Sequence, residues 1–188
     1  MRPLFTVRSL LNLALLGPLL LVQSSRDRYR PQPPPSSMAE MLVDQARQRG
    51  QLNRKLLLLD EAIRIDPRSV RALNERALLL EQMERPREAL ADVDRALDLD
   101  STSGTLHFNR ANLLAALGRN EEAIESYTRS QQLDPRPTTL LNRAAAYLAT
   151  NQPRLALKDL QQAATTDPNL PALGPLIDHL TPPPPTNH

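Results

Sequence analysis

The 188-residue sequence contains no cysteine and no tryptophan, and it has only five glycines and 3% aromatic residues. Without cysteine the chain cannot form disulfides, zinc–thiolate sites or a thiol nucleophile. The scarcity of glycine and aromatics, beside abundant leucine and alanine, favours packed helices over sheets. From Met38 onward no alternating strand pattern occurs, whereas apolar residues recur at three- and four-residue spacing. These features predict an all-α fold.

A concentration of positive charge is also lacking outside the N-terminal segment. Residues 1–30 hold five arginines and one acid, and setting these aside leaves 18 bases and 20 acids, interspersed, for residues 31–188. The sequence pI of about 9.4 therefore reflects the N-terminal segment. Phosphate backbones are bound by clustered lysines and arginines, so we predict no nucleic-acid partner.

Motifs for catalysis and metal binding are missing as well. The sequence has no phosphate-binding loop, no Gly-x-Ser-x-Gly and no His-Glu-x-x-His. His107 falls at a helical packing position and is predicted to lie in the core, and Glu121-Glu122 opens a helix, where acids favour the helix dipole. We therefore expect a non-enzymatic protein with no catalytic residues, no metal and no cofactor.

The sequence does contain an internal repeat with a nearly constant period. Arg76, Arg110 and Arg143 mark successive units, each preceded by an asparagine-containing segment and followed by alanine. Aspartate-led dyads recur at the same period: Asp66-Pro67, Asp100-Ser101, Asp134-Pro135 and Asp167-Pro168. A period of about 34 residues indicates one supersecondary unit stacked into an array, which makes binding the default function.

Each repeat is predicted to be a pair of antiparallel helices. We number every repeat so that its dyad aspartate is position 31. Position 20 is then Ala89, Ala123 and Ala156 in successive repeats. Small side chains are needed where two antiparallel helices approach most closely, so these three alanines are predicted to have a structural role.

The tip of each predicted hairpin carries its own signal. Position 15 is Gly50, Gly118 or Asn151, residues that accept the left-handed conformation that ends a helix. Glu84 breaks this pattern, and its helix is expected to end by other means. Prolines two positions later can begin the second helix without losing a hydrogen-bond donor: Pro86 and Pro153.

This combination resembles the tetratricopeptide repeat (TPR) family, in the variant with Asn-Arg-Gly or Asn-Arg-Ala in the first helix. The resemblance is weak in the first unit, where Lys55 replaces the small residue at position 20. It implies an α-solenoid of antiparallel helix pairs over residues 38–180. The expected parts are a degenerate unit at 36–69, repeats at 70–103, 104–136 and 137–169, and a short capping helix at 170–180.

In TPR proteins the first helices line a concave surface, and the resemblance implies a partner-binding groove there. Asparagine amides in that groove could hydrogen-bond an extended peptide, beside an apolar pocket, although surface asparagines can also be merely solvated. Acidic residues at other lining positions, such as Glu75, disfavour the family's clamp for carboxylate-ended chaperone tails. The predicted groove residues are Arg71, Asn74, Phe108, Asn109, Asn112, Leu141 and Asn142.

The recurring arginine at position 7 is matched in two repeats by an aspartate at position 23. The two pairs are Arg76 with Asp92 and Arg143 with Asp159. Because the two helices of a hairpin are adjacent, we predict a bidentate ion pair across each hairpin. In the middle repeat Arg110 faces Ser126 instead. That arginine is therefore either structural or available to a ligand carboxylate or to Asp92.

Residues 1–25 are predicted to be a signal peptide or a membrane anchor. Arg2 and Arg8 precede the mostly apolar run Leu10–Val22, with a cleavage position near Ser24. The uncharged stretch from Ser9 to Ser25 is at the lower limit of length for spanning a bilayer. We expect an exported protein, periplasmic or extracellular, or a membrane-anchored one. A start at Met38 would instead give a cytoplasmic protein.

Two proline-rich segments flank the predicted repeat domain. Residues 26–37 form a Pro/Arg-rich linker, and residues 181–188 form a Pro-rich tail that we expect to be disordered. The overall hypothesis is an adaptor or scaffold in the cell envelope that binds a peptide or partner protein on the concave TPR face. The alternatives are a structural subunit of an envelope complex that assembles through its end or convex faces, or a cytosolic TPR adaptor.

Overall fold

The computed structural model describes residues 35–48, 50–167, 170 and 173–181, and within those residues all regular secondary structure is helical. The predicted all-α class is confirmed. The helices are α1 (Pro35–Arg47), α2 (Leu52–Ile65), α3 (Val70–Gln82), α4 (Pro86–Leu99), α5 (Gly104–Ala116), α6 (Asn120–Leu133), α7 (Pro137–Ala149), α8 (Pro153–Thr166) and α9 (Gly174–Leu180).

The helices pack in sequence as four hairpins, α1–α2, α3–α4, α5–α6 and α7–α8, followed by α9 on α8. The second helix of each hairpin contacts the first helix of the next. The backbones of neighbouring first helices also approach each other to within 8 Å between Cα atoms, whereas those of neighbouring second helices do not in the described part of the chain. The array is therefore narrower on the side of α1, α3, α5 and α7. We call the exposed residues of these four helices the inner surface and those of α2, α4, α6 and α8 the outer surface.

The second helix of each hairpin ends at the aspartate of its dyad. Asp66, Asp100 and Asp134 are C-cap residues in extended or near-extended conformation, and each backbone N–H still donates to the carbonyl four residues earlier. Serine then begins the next helix in two places, because the Oγ of Ser69 and of Ser103 accepts from the backbone N–H three residues later. The recurring dyad thus sets the connection between hairpins.

The hairpin tips contain left-handed residues, including one that the sequence analysis did not expect. Gly118 and Asn151 have φ of 76° and 58°, and Glu84 has φ of 59°. The prediction that the helix before Glu84 ends by other means was wrong. The N–H of Arg85 donates to the Leu80 carbonyl at 2.9 Å, a bond equivalent to the one after Gly118. Hairpin geometry therefore imposes this conformation on glutamate, against its local preference.

The core runs between the paired helices. Ala89, Ala123 and Ala156 are fully buried in the last three hairpins, and Leu73, Leu113, Leu114 and Leu140 are among the largest fully buried side chains. His107 does not lie in the core as predicted. It is half-buried, with Nε2 3.2 Å from the Ser101 carbonyl oxygen, because the neighbouring Leu106 takes the buried position.

The short helix α9 covers the last hairpin with apolar side chains. Leu173, Ile177 and Leu180 pack against the cluster that contains Leu160. Among the described residues, no helix combines the length and apolar character needed to cross a bilayer. The predicted leader, residues 1–25, residues 26–34 of the predicted linker and residues 182–188 of the predicted tail lie outside the described residues. The last three residues of the predicted linker, 35–37, instead form the start of α1.

Candidate functional site

The predicted groove residues all lie on the inner surface, at three successive first helices. Arg71 and Asn74 are on α3, Phe108, Asn109 and Asn112 on α5, and Leu141 and Asn142 on α7. All seven side chains are half-buried. Helical spacing places Arg71 with Asn74, and Phe108 with Asn112, on one face of their helices, and the contacts between first helices bring the three groups side by side.

Two pairs of asparagines join these helices directly. Asn109 Nδ2 donates to Asn74 Oδ1 at 2.8 Å, which links α5 to α3. Asn142 Nδ2 donates to Asn112 Oδ1 at 3.0 Å, which links α7 to α5. The amides are therefore neither merely solvated nor fully available. Each uses one polar atom within the protein and keeps the other.

A tyrosine of the adjacent second helix completes the second pair. The hydroxyl of Tyr127, on α6, donates to Asn112 Oδ1 at 2.6 Å, while its ring is only 2% exposed. Burial raises the pKa of Tyr127 to about 12, although a hydrogen bond with Asn142 acts in the opposite direction. The hydroxyl therefore keeps its proton at neutral pH and remains a donor.

The contact of Tyr127 with Asn112 was not predicted from the sequence. The signal was the residue type at position 24, where the other hairpins carry Leu59, Val93 and Leu160. Only the third hairpin has a polar atom there.

An apolar site lies beside the amides. The rings of Phe108 and Tyr127 meet edge-to-face, with centroids 6.0 Å apart and planes at 61°. Leu141 packs against the cluster formed by Ala144, Ala156 and Leu160 and remains half-buried. Edge-to-face geometry holds the Phe108 ring in place and leaves part of it accessible on the inner surface.

The inner surface of the first two hairpins differs from that of the later hairpins, because its charged side chains form ion pairs with one another. Arg71 forms ion pairs with Asp44 and Glu40 of α1, and these hydrogen bonds raise the pKa of Arg71. Arg47 lies 3.4 Å from Glu75. The predicted groove residue Arg71 is thus engaged within the protein.

The arginines at position 7 each contact two second helices. Arg76 binds Asp92 of its own hairpin through two bonds of 2.6 Å and Asp60 of the preceding hairpin at 2.8 Å. Arg143 binds Asp159 at 2.7 and 2.8 Å, and its third nitrogen donates to Thr128 of the preceding hairpin at 3.0 Å. The constant spacing of positions 7 and 23 pointed to the contact within each hairpin, and the contact between hairpins was not foreseen.

Arg110 follows the same geometry with different partners. It donates to Ser126 Oγ at 2.7 Å and to Asp94 of the preceding hairpin at 2.8 Å. Its carboxylate partner is therefore Asp94, not Asp92, and two of the three guanidinium nitrogens are engaged within the protein. In the first hairpin Leu42 and Leu58 occupy the arginine and aspartate positions.

Comparison with known sequences identifies one family. The sequence model of the tetratricopeptide repeat matches residues 41–103 and residues 74–136. No curated protein sequence is significantly similar to the chain. Within the described residues, no three histidine or acidic side chains are grouped so that they could hold a metal ion.

Solved structures show the same architecture at low sequence identity. MamA is 15% identical with a TM-score of 0.70, over 73% of this chain and 81% of MamA. Pseudomonas aeruginosa PilF is 21% identical with a TM-score of 0.68, over 78% of this chain and 68% of PilF. A chain of the APC/C hetero-tetramer Cut9–Hcn1 is 18% identical with a TM-score of 0.66, over 77% of this chain and 29% of its own length. These likenesses establish the helical solenoid and not a function.

Proposed function

The chain belongs to the tetratricopeptide repeat family, and from that premise we propose that it is a non-enzymatic adaptor or scaffold that binds a peptide or partner protein on its inner surface. The observation that carries the proposal is the row of half-buried groups on α3, α5 and α7. Asn109 and Asn142 each keep an unused amide oxygen there, and Phe108 offers an accessible ring. An extended segment needs such partners for its backbone and a pocket for a side chain.

The test uses the full chain and a peptide selected on it from a displayed random library. Replacing Phe108 with Ala and Asn109 with Asp removes the apolar anchor and turns an amide donor into a charge. We expect the double variant to weaken peptide binding by about 1–3 kcal/mol in isothermal titration. Circular dichroism should show unchanged helicity, because both side chains are only half-buried.

The matched control is Asn53→Asp, which adds the same charge at an exposed asparagine of α2. This control should bind the peptide like the wild type. Equal affinities for the control and the Phe108/Asn109 variant would contradict binding on the inner surface.

A second candidate is assembly through the outer surface, as a structural subunit of a complex. The observation in its favour is Leu57, a leucine of α2 that is 69% exposed, where other hairpins carry Ala91, Glu125 and Lys158. If this candidate is right, Leu57→Ser abolishes capture of the partner while the Phe108→Ala/Asn109→Asp variant retains it.

We further propose that the protein is exported or anchored in a membrane through residues 9–25. The support is the sequence itself, with Arg2 and Arg8 before the apolar run Leu10–Val22. Fractionation and intact-mass measurement of the expressed full chain should find it outside the cytosol, either cut near Ser24 or in the membrane fraction. A soluble cytosolic protein that retains residue 1 or begins at Met38 would overturn this proposal.

A further inference from the structure

The hydroxyl of Tyr127 reaches from the buried side of α6 to the inner surface, where it contacts one amide of the groove. It donates to Asn112 Oδ1, the same oxygen that accepts from Asn142 Nδ2. We propose that Tyr127 is a positioning residue that fixes the orientation of these amides, and thereby selects an uncharged, extended peptide segment as the ligand. This inference rests on the proposed binding function of the inner surface.

The hydrogen bonds determine which atom of each amide remains open. Because Asn112 Oδ1 accepts two bonds, its Nδ2 is the atom left for a ligand, and Asn142 correspondingly keeps its Oδ1. In the other pair Asn74 keeps Nδ2 and Asn109 keeps Oδ1. Within the described residues, no protein group pairs with these four remaining atoms. Each pair thus offers one donor beside one acceptor.

A donor beside an acceptor is complementary to a backbone amide, which carries one N–H and one C=O. Two such pairs, one between α3 and α5 and one between α5 and α7, offer sites for two backbone amides of one extended segment. A ligand carboxylate would meet the open oxygen of Asn109 or Asn142 beside each donor, and a ligand ammonium would meet the open Nδ2 of Asn74 or Asn112 beside each acceptor. Arg71 does not compensate for a ligand carboxylate, because it is paired with Glu40 and Asp44. The favoured ligand is therefore neutral where it crosses these helices.

Tyr127 is held rigidly enough to impose the orientation. Its ring is almost completely buried and packs edge-to-face on Phe108, the apolar anchor of the same site. Because both amide edges of an asparagine have nearly the same shape, the amide orientation depends on which edge finds a fixed partner. A hydroxyl that donates from a buried ring supplies that partner, and phenylalanine in the same position would not.

The first experiment measures how Tyr127 and Asn112 act together on binding. The probe is an end-blocked, uncharged peptide selected on the full wild-type chain and bound in a Phe108-dependent manner. Titration should show that Tyr127→Phe weakens its binding about five- to tenfold. In an Asn112→Ala background the same substitution should change affinity less than twofold, because the amide to be oriented is gone. A merely structural role for Tyr127 predicts the same loss in both backgrounds and would overturn the inference.

A second readout does not depend on a ligand. In spectra of side-chain amides, Tyr127→Phe should shift and broaden the Asn112 signals and leave those of exposed Asn53 unchanged. Unaltered Asn112 signals would contradict the positioning role.

Placing Asp or Lys in the middle of the peptide should weaken binding, and tighter binding of the acidic peptide would contradict the proposed ligand class.

The two proposals fail in different ways. If no selected peptide depends on Phe108, the inner surface is not the binding site and the proposed function itself is wrong. If binding depends on Phe108 but not on Tyr127, the proposed function stands and only the positioning role is wrong.

Discussion

In the first hairpin Leu42 and Leu58 occupy the positions that Arg143 and Asp159 occupy in the fourth. Both leucines pack against the core of the first hairpin, whereas the arginine and aspartate form an ion pair in which Asp159 is 5% exposed. The hairpins have the same helix order, so pairing two helices does not require the ion pair. The arginine has an additional effect in the later hairpins, because it also contacts the preceding second helix.

The residue at position 20 also differs between the first hairpin and the later ones. It is a fully buried alanine in the later hairpins, whereas Lys55 in the first hairpin is half-buried. In the described part of the chain no hairpin precedes α1. Within those residues the first hairpin therefore packs against another hairpin, the second, on one side alone. Looser packing at this end is therefore tolerated, and tight packing is required where a hairpin is enclosed between two others.

The largest expected effect tests this difference at position 20. Ala123→Arg should force α5 and α6 apart or bury a cation, and lower the free energy of unfolding by about 3–5 kcal/mol. The same side chain at the equivalent position of the first hairpin, Lys55→Arg, should change it by less than about 1 kcal/mol. Urea denaturation of both variants measures the effect. An unchanged midpoint for Ala123→Arg would contradict the packing assigned to position 20.

The next prediction replaces the Arg143–Asp159 ion pair of the fourth hairpin with two leucines, as in the first hairpin. Arg143→Leu leaves the buried Asp159 carboxylate without its partner and should cost about 2–4 kcal/mol of unfolding free energy. Adding Asp159→Leu should restore most of that loss, because two leucines reproduce the pair found at Leu42 and Leu58. A double-mutant cycle in urea gives the coupling. A double variant as unstable as Arg143→Leu would show that the two hairpins cannot exchange this pair.

The smallest expected effect concerns a polar group that the fourth hairpin leaves unpaired. Thr139 is fully buried near the start of α7, and within the described residues its hydroxyl has no hydrogen-bond partner. The equivalent residues Ala72 and Leu106 are apolar. Thr139→Val should therefore raise the free energy of unfolding by about 1 kcal/mol. The control is Thr138→Val at the exposed neighbouring position, and a destabilised Thr139→Val protein would indicate that the hydroxyl is satisfied.

The features that follow the repeat period could be predicted from the sequence. The constant spacing of Arg76, Arg110 and Arg143 identified the repeat, and the alanines at position 20 predicted paired helices. The separation of positions 7 and 23 also pointed to Asp92 as the partner of Arg76. These inferences succeed because they depend on residues within one hairpin, where helix geometry fixes the distance.

Contacts between hairpins could not be predicted in the same way. Pairing of Arg76 with Asp60, or of Asn109 with Asn74, depends on how far each hairpin is rotated relative to the last, which no local pattern states. Glu84 shows the same limit, because the hairpin imposes a left-handed conformation that glutamate itself disfavours. Tyr127 was missed since its ring fits the apolar pattern and only its hydroxyl departs from it.

In the described array the first helices approach one another more closely than the second helices do. The resistance to bending is therefore expected to differ between the inner and the outer surface. Spreading the outer surface strains the links from Arg76, Arg110 and Arg143 to the preceding second helix, whereas spreading the inner surface separates first helices that approach each other directly and breaks their asparagine pairs. We therefore expect bending to open the outer surface more readily than the inner surface, with the asparagine pairs on the side that moves least. If the inner surface binds a segment as proposed, that segment would keep its hydrogen bonds while the outer surface opens and closes.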